Sequence, residues 1–161
     1  MASPLDPTYQ YYTDKIRAAG SLYGVPADIG IWQLWQESRY VPNAVSSAGA
    51  TGIAQFMPAT AAQYNVDPYN VDSSIDGWGR YMRDLYRMFD RWDLALAGYN
   101  AGPGNVRRYN NTIPPFKETQ DYVRIIAQNA NLNPSLKSNK ALVIKTGLAI
   151  LGIGIVITKL K

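Results

Sequence analysis

The chain has 161 residues, enough for one domain with a substantial core and a short appendage. It holds neither Cys nor His, which removes disulfide frameworks, Ser-His and Cys-His nucleophile systems and HExxH zinc proteases, and leaves acid/base chemistry to Asp, Glu, Tyr or Lys. The net charge of +4 belongs to the end of the chain: residues 134–161 carry five lysines and no acid, leaving 11 Lys and Arg against 12 Asp and Glu before them, so no basic footprint for nucleic acid runs through the body. Residues 1–7 lack a basic segment followed by an apolar run, and no secretory leader is expected there.

Taken in chain order, residues 8–23 predict a helix, with Tyr9, Tyr12, Ile16, Ala19 and Tyr23 on one face, Thr8 as N-cap and Gly24 as stop. Pro26 opens a second helix running to Ser38. Ile31, Trp32, Leu34 and Trp35 make it apolar over most of its circumference, so it is expected to be deeply buried. Glu37 then falls in the last turn of a buried helix. Apolar neighbours and the negative end of the helix dipole both raise a carboxyl pKa, which suits a proton donor near neutral pH. The residues alone leave a second reading open, a solvated carboxylate at a frayed helix end.

Residues 41–56 have no regular period. Pro42, Asn43, Ser46, Ser47, Gly49 and Gly52 are loop formers, whose small side chains let backbone approach a ligand; an ordinary surface loop fits equally. Pro58 begins a short helix to about Tyr64. Residues 73–89 predict an amphipathic helix with Ile75, Trp78, Met82, Leu85 and Phe89 inside, a Ser73/Asp76 capping box and i,i+4 pairs Asp76/Arg80 and Arg80/Asp84. A helix from Trp92 to about Ala101 carries Tyr99 and Asn100. Gly102-Pro103-Gly104 forces a turn into a further short helix through Tyr109. Residues 116–131 form the next helix, with Thr119, Tyr122, Val123, Ile126 and Ala130 inward.

The pattern predicts an all-α domain over residues 1–131, with at most a tiny sheet around 41–56. Residues 132–140 read as a polar linker. Residues 141–160 carry one internal charge, Lys145, before the terminal Lys159, and as a helix reach about 30 Å, the hydrocarbon thickness of a bilayer. Lys140, Lys159 and Lys161 flank this segment, and Gly147, Gly152 and Gly154 are tolerated in membrane helices. A C-terminal transmembrane helix is expected; an apolar helix packed on the body or on another subunit is the alternative.

Glu37-Ser38 and Ser46-x-Ala48-Gly49-Ala50-x-Gly52-Ile53-x-Gln55-x-Met57-Pro58-Ala59-Thr60-Ala61 together resemble the signature of the soluble lytic transglycosylases, the goose-lysozyme-like family. Ala95-Leu96-Ala97-Gly98-Tyr99-Asn100-Ala101-Gly102-Pro103-Gly104 is similar to a second block of that family. Pro115-x-x-Glu118-Thr119-x-x-Tyr122-Val123 is similar to its closing block. Together the blocks span roughly residues 30–125. Ile53-Ala54, Phe56 and Gly98 depart from the usual pattern, and none of these removes a polar residue.

The resemblance implies a lysozyme-like fold of the goose type. It implies cleavage of peptidoglycan between N-acetylmuramic acid and N-acetylglucosamine, with Glu37 as sole acid/base, a 1,6-anhydro product, and no metal or cofactor. It also implies that Ser46, Gln55, Met57, Tyr99, Asn100, Glu118 and Tyr122 line the glycan-binding cleft. On the residues alone Tyr99 and Tyr122 could equally be core aromatics. Glu118 reads either as a second charge or as a carboxylate supporting a helix N-terminus. A lysozyme-type hydrolase of the same bond, and a structural or membrane protein that keeps the cleft, are the alternative functions. With no leader and an apolar tail, the chain is expected in a phage particle, anchored through residues 141–160 in a virion membrane or host envelope beside other virion proteins.

Overall fold

The computed structural model describes residues 3–132. Linker residues 133–140 and the apolar segment 141–160 lie outside the described residues. Among the described residues no helix is long and apolar enough to cross a membrane. Among the described residues seven α-helices follow a single 3-10 turn, Pro7–Tyr9: α1 Gln10–Tyr23, α2 Ala27–Ser38, α3 Pro58–Gln63, α4 Val71–Phe89, α5 Trp92–Ala101, α6 Pro103–Arg108 and α7 Lys117–Asn129. The all-α expectation holds, and the expected small sheet reduces to two isolated antiparallel bridges, Val45 with Thr51 and Thr51 with Phe56.

Local chemistry sets the helix ends. Gly24 closes α1 at φ 71, where its N–H donates to the Gly20 carbonyl. Two expected starts move. Asp6, not Thr8, caps the first turn, since the Asp6 carboxylate accepts from the Thr8 N–H at 2.9 Å. Helix α4 begins at Val71, two residues before the expected Ser73, because the Asn70 side chain accepts from the Ser73 N–H at 2.9 Å. The Ser73 hydroxyl turns instead to the Asp67 N–H. The Asp76/Arg80 pair forms at 2.9 Å. The Arg80/Asp84 pair does not: Arg80 donates to the Tyr64 carbonyl at 2.7 Å, and Asp84 takes Arg83 at 2.9 Å.

Helix α2 packs with α1 along one side and α7 along another, and α5 ties α7 to α4 and α6. Ile29, Ile31 and Leu34 of α2, Ile16 of α1 and Trp78 and Met82 of α4 are all fully buried. Each such aliphatic side chain contributes about 1.5–3 kcal/mol by leaving water. The three helices approach closely at Gly30, where a Cβ would lie 2.3 Å from the Trp78 ring and 2.6 Å from Ile16. Trp32, expected inside, is only partly buried.

Candidate active site

Glu37 occupies the last turn of α2, and the helix stops at once. Arg39 and Tyr40 both adopt left-handed backbone, φ 56 and 60. That conformation is costly for a bulky residue and persists only where surroundings enforce it. Here Tyr40 is buried, its ring packs on Trp35 and Tyr12, and its hydroxyl donates to the Ile31 carbonyl at 2.8 Å. The sharp stop sends the chain back over the end of α2 as the loop 41–57.

That loop is tied down from two sides. Ser38, beside Glu37, donates to the Ile53 carbonyl at 2.7 Å. Tyr99 of α5 donates to the Ala54 carbonyl at 2.8 Å. Within the loop, the Gln55 amide donates to the Gly52 carbonyl at 2.9 Å and the Ala44 carbonyl at 3.2 Å. The Ser46 hydroxyl accepts from the Ala50 N–H at 3.0 Å. Gly52 passes so close to the Pro68 carbonyl that a Cβ would sit 1.9 Å from its oxygen, and its φ of 80 is a second reason for glycine there.

Helix α7 completes the surroundings of Glu37. Tyr122, 6% exposed, donates its hydroxyl to Glu37 Oε1. One turn earlier, Glu118 is exposed, and its charge acts on Glu37. Thr119, between them, donates to Asn100 Oδ1 at 2.7 Å, which joins α7 to the end of α5. Phe56 and Tyr81 pack against the Tyr99 ring at centroid distances of 6.2 and 5.1 Å.

Three effects act on the Glu37 carboxyl. The residue keeps some exposed surface, yet the protein packed around its carboxyl desolvates it strongly, and that is the largest effect. The Tyr122 hydrogen bond opposes it, and the Glu118 charge adds to it, for a pKa raised from 4.5 to about 7. Burial and the nearby Glu37 charge hold the Tyr99 and Tyr122 hydroxyls well above the usual tyrosine range. Both phenols therefore stay protonated donors. A carboxyl that exchanges its proton near neutrality, with a permanent donor on one oxygen, is equipped to act as acid and then as base.

The expected site residues thus divide. Tyr122 touches Glu37, Glu118 acts on it through charge, and the Glu37 charge in turn helps keep Tyr99 protonated. Asn100 is linked to α7 through Thr119, and Met57 is 45% exposed just before α3. The recorded hydrogen bonds of Ser46 and Gln55 are spent on the loop itself. Two contributors were absent from the sequence reading. Ser38 looked like part of a motif, and its tie to Ile53 is fixed only by tertiary structure. Gln33 is fully buried and accepts from the Trp78 indole N–H at 2.9 Å; a polar residue in the middle of the apolar α2 pattern was its signal.

The chain is 32% identical over 62% of its length to the membrane-bound lytic murein transglycosylase F 2 of Alkalilimnicola ehrlichii, covering 23% of that protein. It is 27% identical over 74% of its length to the soluble lytic murein transglycosylase of Escherichia coli K12, covering 22% of that protein. The fold superimposes on the lytic transglycosylase Slt of Pseudomonas aeruginosa, solved as an inactive mutant, with a TM-score of 0.66 and 25% identity over 77% of this chain and 24% of that one. The soluble lytic transglycosylase of Escherichia coli gives a TM-score of 0.65. The chain spans less than a quarter of the length of these relatives. The model of the transglycosylase SLT domain matches residues 14–122, from α1 through Tyr122 and including every residue gathered around Glu37, so the protein belongs to the transglycosylase SLT domain family.

Proposed function

We propose that this domain is a peptidoglycan lytic transglycosylase in which Glu37 serves first as acid and then as base. The observation that carries the reading is the Glu37 carboxyl, desolvated to a pKa of about 7 and held by the Tyr122 hydroxyl. Membership of the family and the names of its relatives support the substrate class.

In this reading protonated Glu37 gives its proton to the glycosidic oxygen between N-acetylmuramic acid and N-acetylglucosamine. The bond from C1 to that oxygen breaks, and the 2-acetamido oxygen of the muramic sugar bonds to C1 in its place, standing in for the second carboxylate of most glycosidases. Glu37, now a carboxylate, removes the proton of the C6 hydroxyl. O6 then displaces the acetamido oxygen at C1 and closes the 1,6-anhydro ring, so no water enters the product. The Tyr122 donor stabilises the carboxylate between the two transfers. Ser46, Gln55, Met57, Tyr99, Asn100 and Glu118 line the sugar subsites in this reading, Met57 offering exposed apolar surface, while the hydrogen bonds of Ser46, Gln55 and Tyr99 hold the loop that shapes the cleft.

A lysozyme-type hydrolase is the second reading, favoured by one observation: Glu118 lies near enough for its charge to act on Glu37. A second carboxylate there would orient a water. Digestion of purified wall separates the two. A transglycosylase releases muropeptides one water lighter than hydrolysis does, and Glu37→Gln abolishes the release. We further propose that residues 141–160 hold the domain at a membrane, a role supported by their length and apolar character. Finding the full chain in purified phage particles would test the virion setting.

A further inference from the structure

Gln33 lies on α2 one turn before Glu37, and none of its surface reaches solvent. Its Oε1 accepts the Trp78 indole N–H at 2.9 Å. An indole nitrogen only donates, so this contact fixes the amide: oxygen toward Trp78, Nε2 turned the other way. Among the described residues Nε2 has no partner within ordinary hydrogen-bond geometry. A fully buried amide left in that condition calls for a reason. The group the amide acts on is the Tyr122 phenol, whose pKa the Gln33 side chain lowers against the upward push of burial. Tyr122 in turn donates to Glu37 Oε1. Trp78 donates to Gln33 and Tyr122 donates to Glu37, and the unpartnered Gln33 Nε2 is the one donor left between these two bonds.

We propose that Gln33 is a positioning residue for Glu37: its buried amide claims the Tyr122 oxygen as an acceptor, which aims the Tyr122 O–H at Glu37 and stabilises the Glu37 carboxylate. Donors in series polarise one another, so the amide strengthens a bond it does not touch. The consequence for cleavage rests on Glu37 being the acid/base. Of the other titratable groups near Glu37, Glu118 from α7 opposes its ionisation, and Tyr99 from α5 is itself kept protonated by burial and by the Glu37 charge. Neither lies in the Trp78–Gln33–Tyr122 series.

Glu37 and Glu118 are the chain's only two glutamates. Protein labelled with carbon-13 at the glutamate carboxyls therefore gives two NMR signals, which Glu118→Gln tells apart. In Gln33→Met the Glu37 midpoint should rise by roughly half a unit or more, as expected for weakening one hydrogen bond to a charged group. In a Tyr122→Phe background the same substitution should add nothing. In the unmodified protein the Gln33 side-chain N–H signals should move with the Glu37 midpoint, a readout that needs no core substitution to fold. The proposal is overturned by an unchanged or lower Glu37 midpoint in Gln33→Met, by an equal rise with and without the Tyr122 hydroxyl, or by Gln33 signals that stay flat through the Glu37 titration. The midpoint is read on the carboxyl itself, so these results stand apart from whether Glu37 cuts glycan. Failure of that reading would show instead as full cleavage by Glu37→Gln.

Discussion

Glu37 is held at a cost to the fold. Its pKa rises from 4.5 to about 7 on folding, chiefly by desolvation. The folded state therefore binds this proton more tightly than the unfolded chain. The stability that comes with the proton is fully present below pH 4.5, falls as pH rises between the two values, and is gone above about 7. Ionised Glu37 then costs the fold up to about 3 kcal/mol. Glu37→Gln should match the parent near pH 4 and be more stable above pH 7 by up to that amount, as read by denaturant unfolding at the two pH values. The acid step needs the protonated form, so cleavage should decline as pH passes about 7. Removing the donor in Tyr122→Phe should carry that decline to higher pH and lower the peak rate by roughly tenfold or more, measured as a pH–rate profile on isolated wall.

At the scale of elements, the site depends on one loop being pinned over the end of one helix. The ties from Ser38 and Tyr99 and the close pass of Gly52 under Pro68 place that loop. Gly52→Ala combines a positive φ with a backbone clash, and should cost roughly 2 kcal/mol or more together with most of the activity; thermal unfolding and wall digestion check both. Asn70→Ala removes the cap of α4, away from Glu37, and should cost about 1 kcal/mol while sparing the pH profile. The helices themselves were legible in the sequence, because Ile75, Trp78, Met82 and Leu85, or Thr119, Tyr122, Val123 and Ile126, repeat at helical spacing and are buried as that spacing requires. The start of α4 was misread because Ser73 and Asn70 are both good caps, and only the folded turn decides that Asn70 accepts while Ser73 reaches back to Asp67. Glu37 stood out as an acid among apolar residues. The family resemblance put Tyr122 along the cleft, but its meeting with Glu37, 85 residues apart, appears only in the folded chain, since nothing local encodes it. Ser46 and Gln55 matched the same resemblance, yet their recorded hydrogen bonds shape the loop.

For the molecule as a whole, charge and hydropathy separate a body near neutrality from a basic, apolar end. If residues 141–160 hold the domain to a bilayer, the full chain should stay with membranes through alkaline extraction; release into the soluble fraction would remove the anchor from the account. Such tethering would confine cutting to wall beside a membrane, but the chemistry rests on Glu37 in either case. The central claim, that one carboxyl acts twice and no water is consumed, is tested most directly by the masses of the muropeptides that the purified protein releases from isolated wall. The account predicts products ending in 1,6-anhydromuramic acid, one water lighter than hydrolysis products, and none from Glu37→Gln. Reducing-end products carrying the added water, or anhydro products from Glu37→Gln at the parent rate, would contradict it.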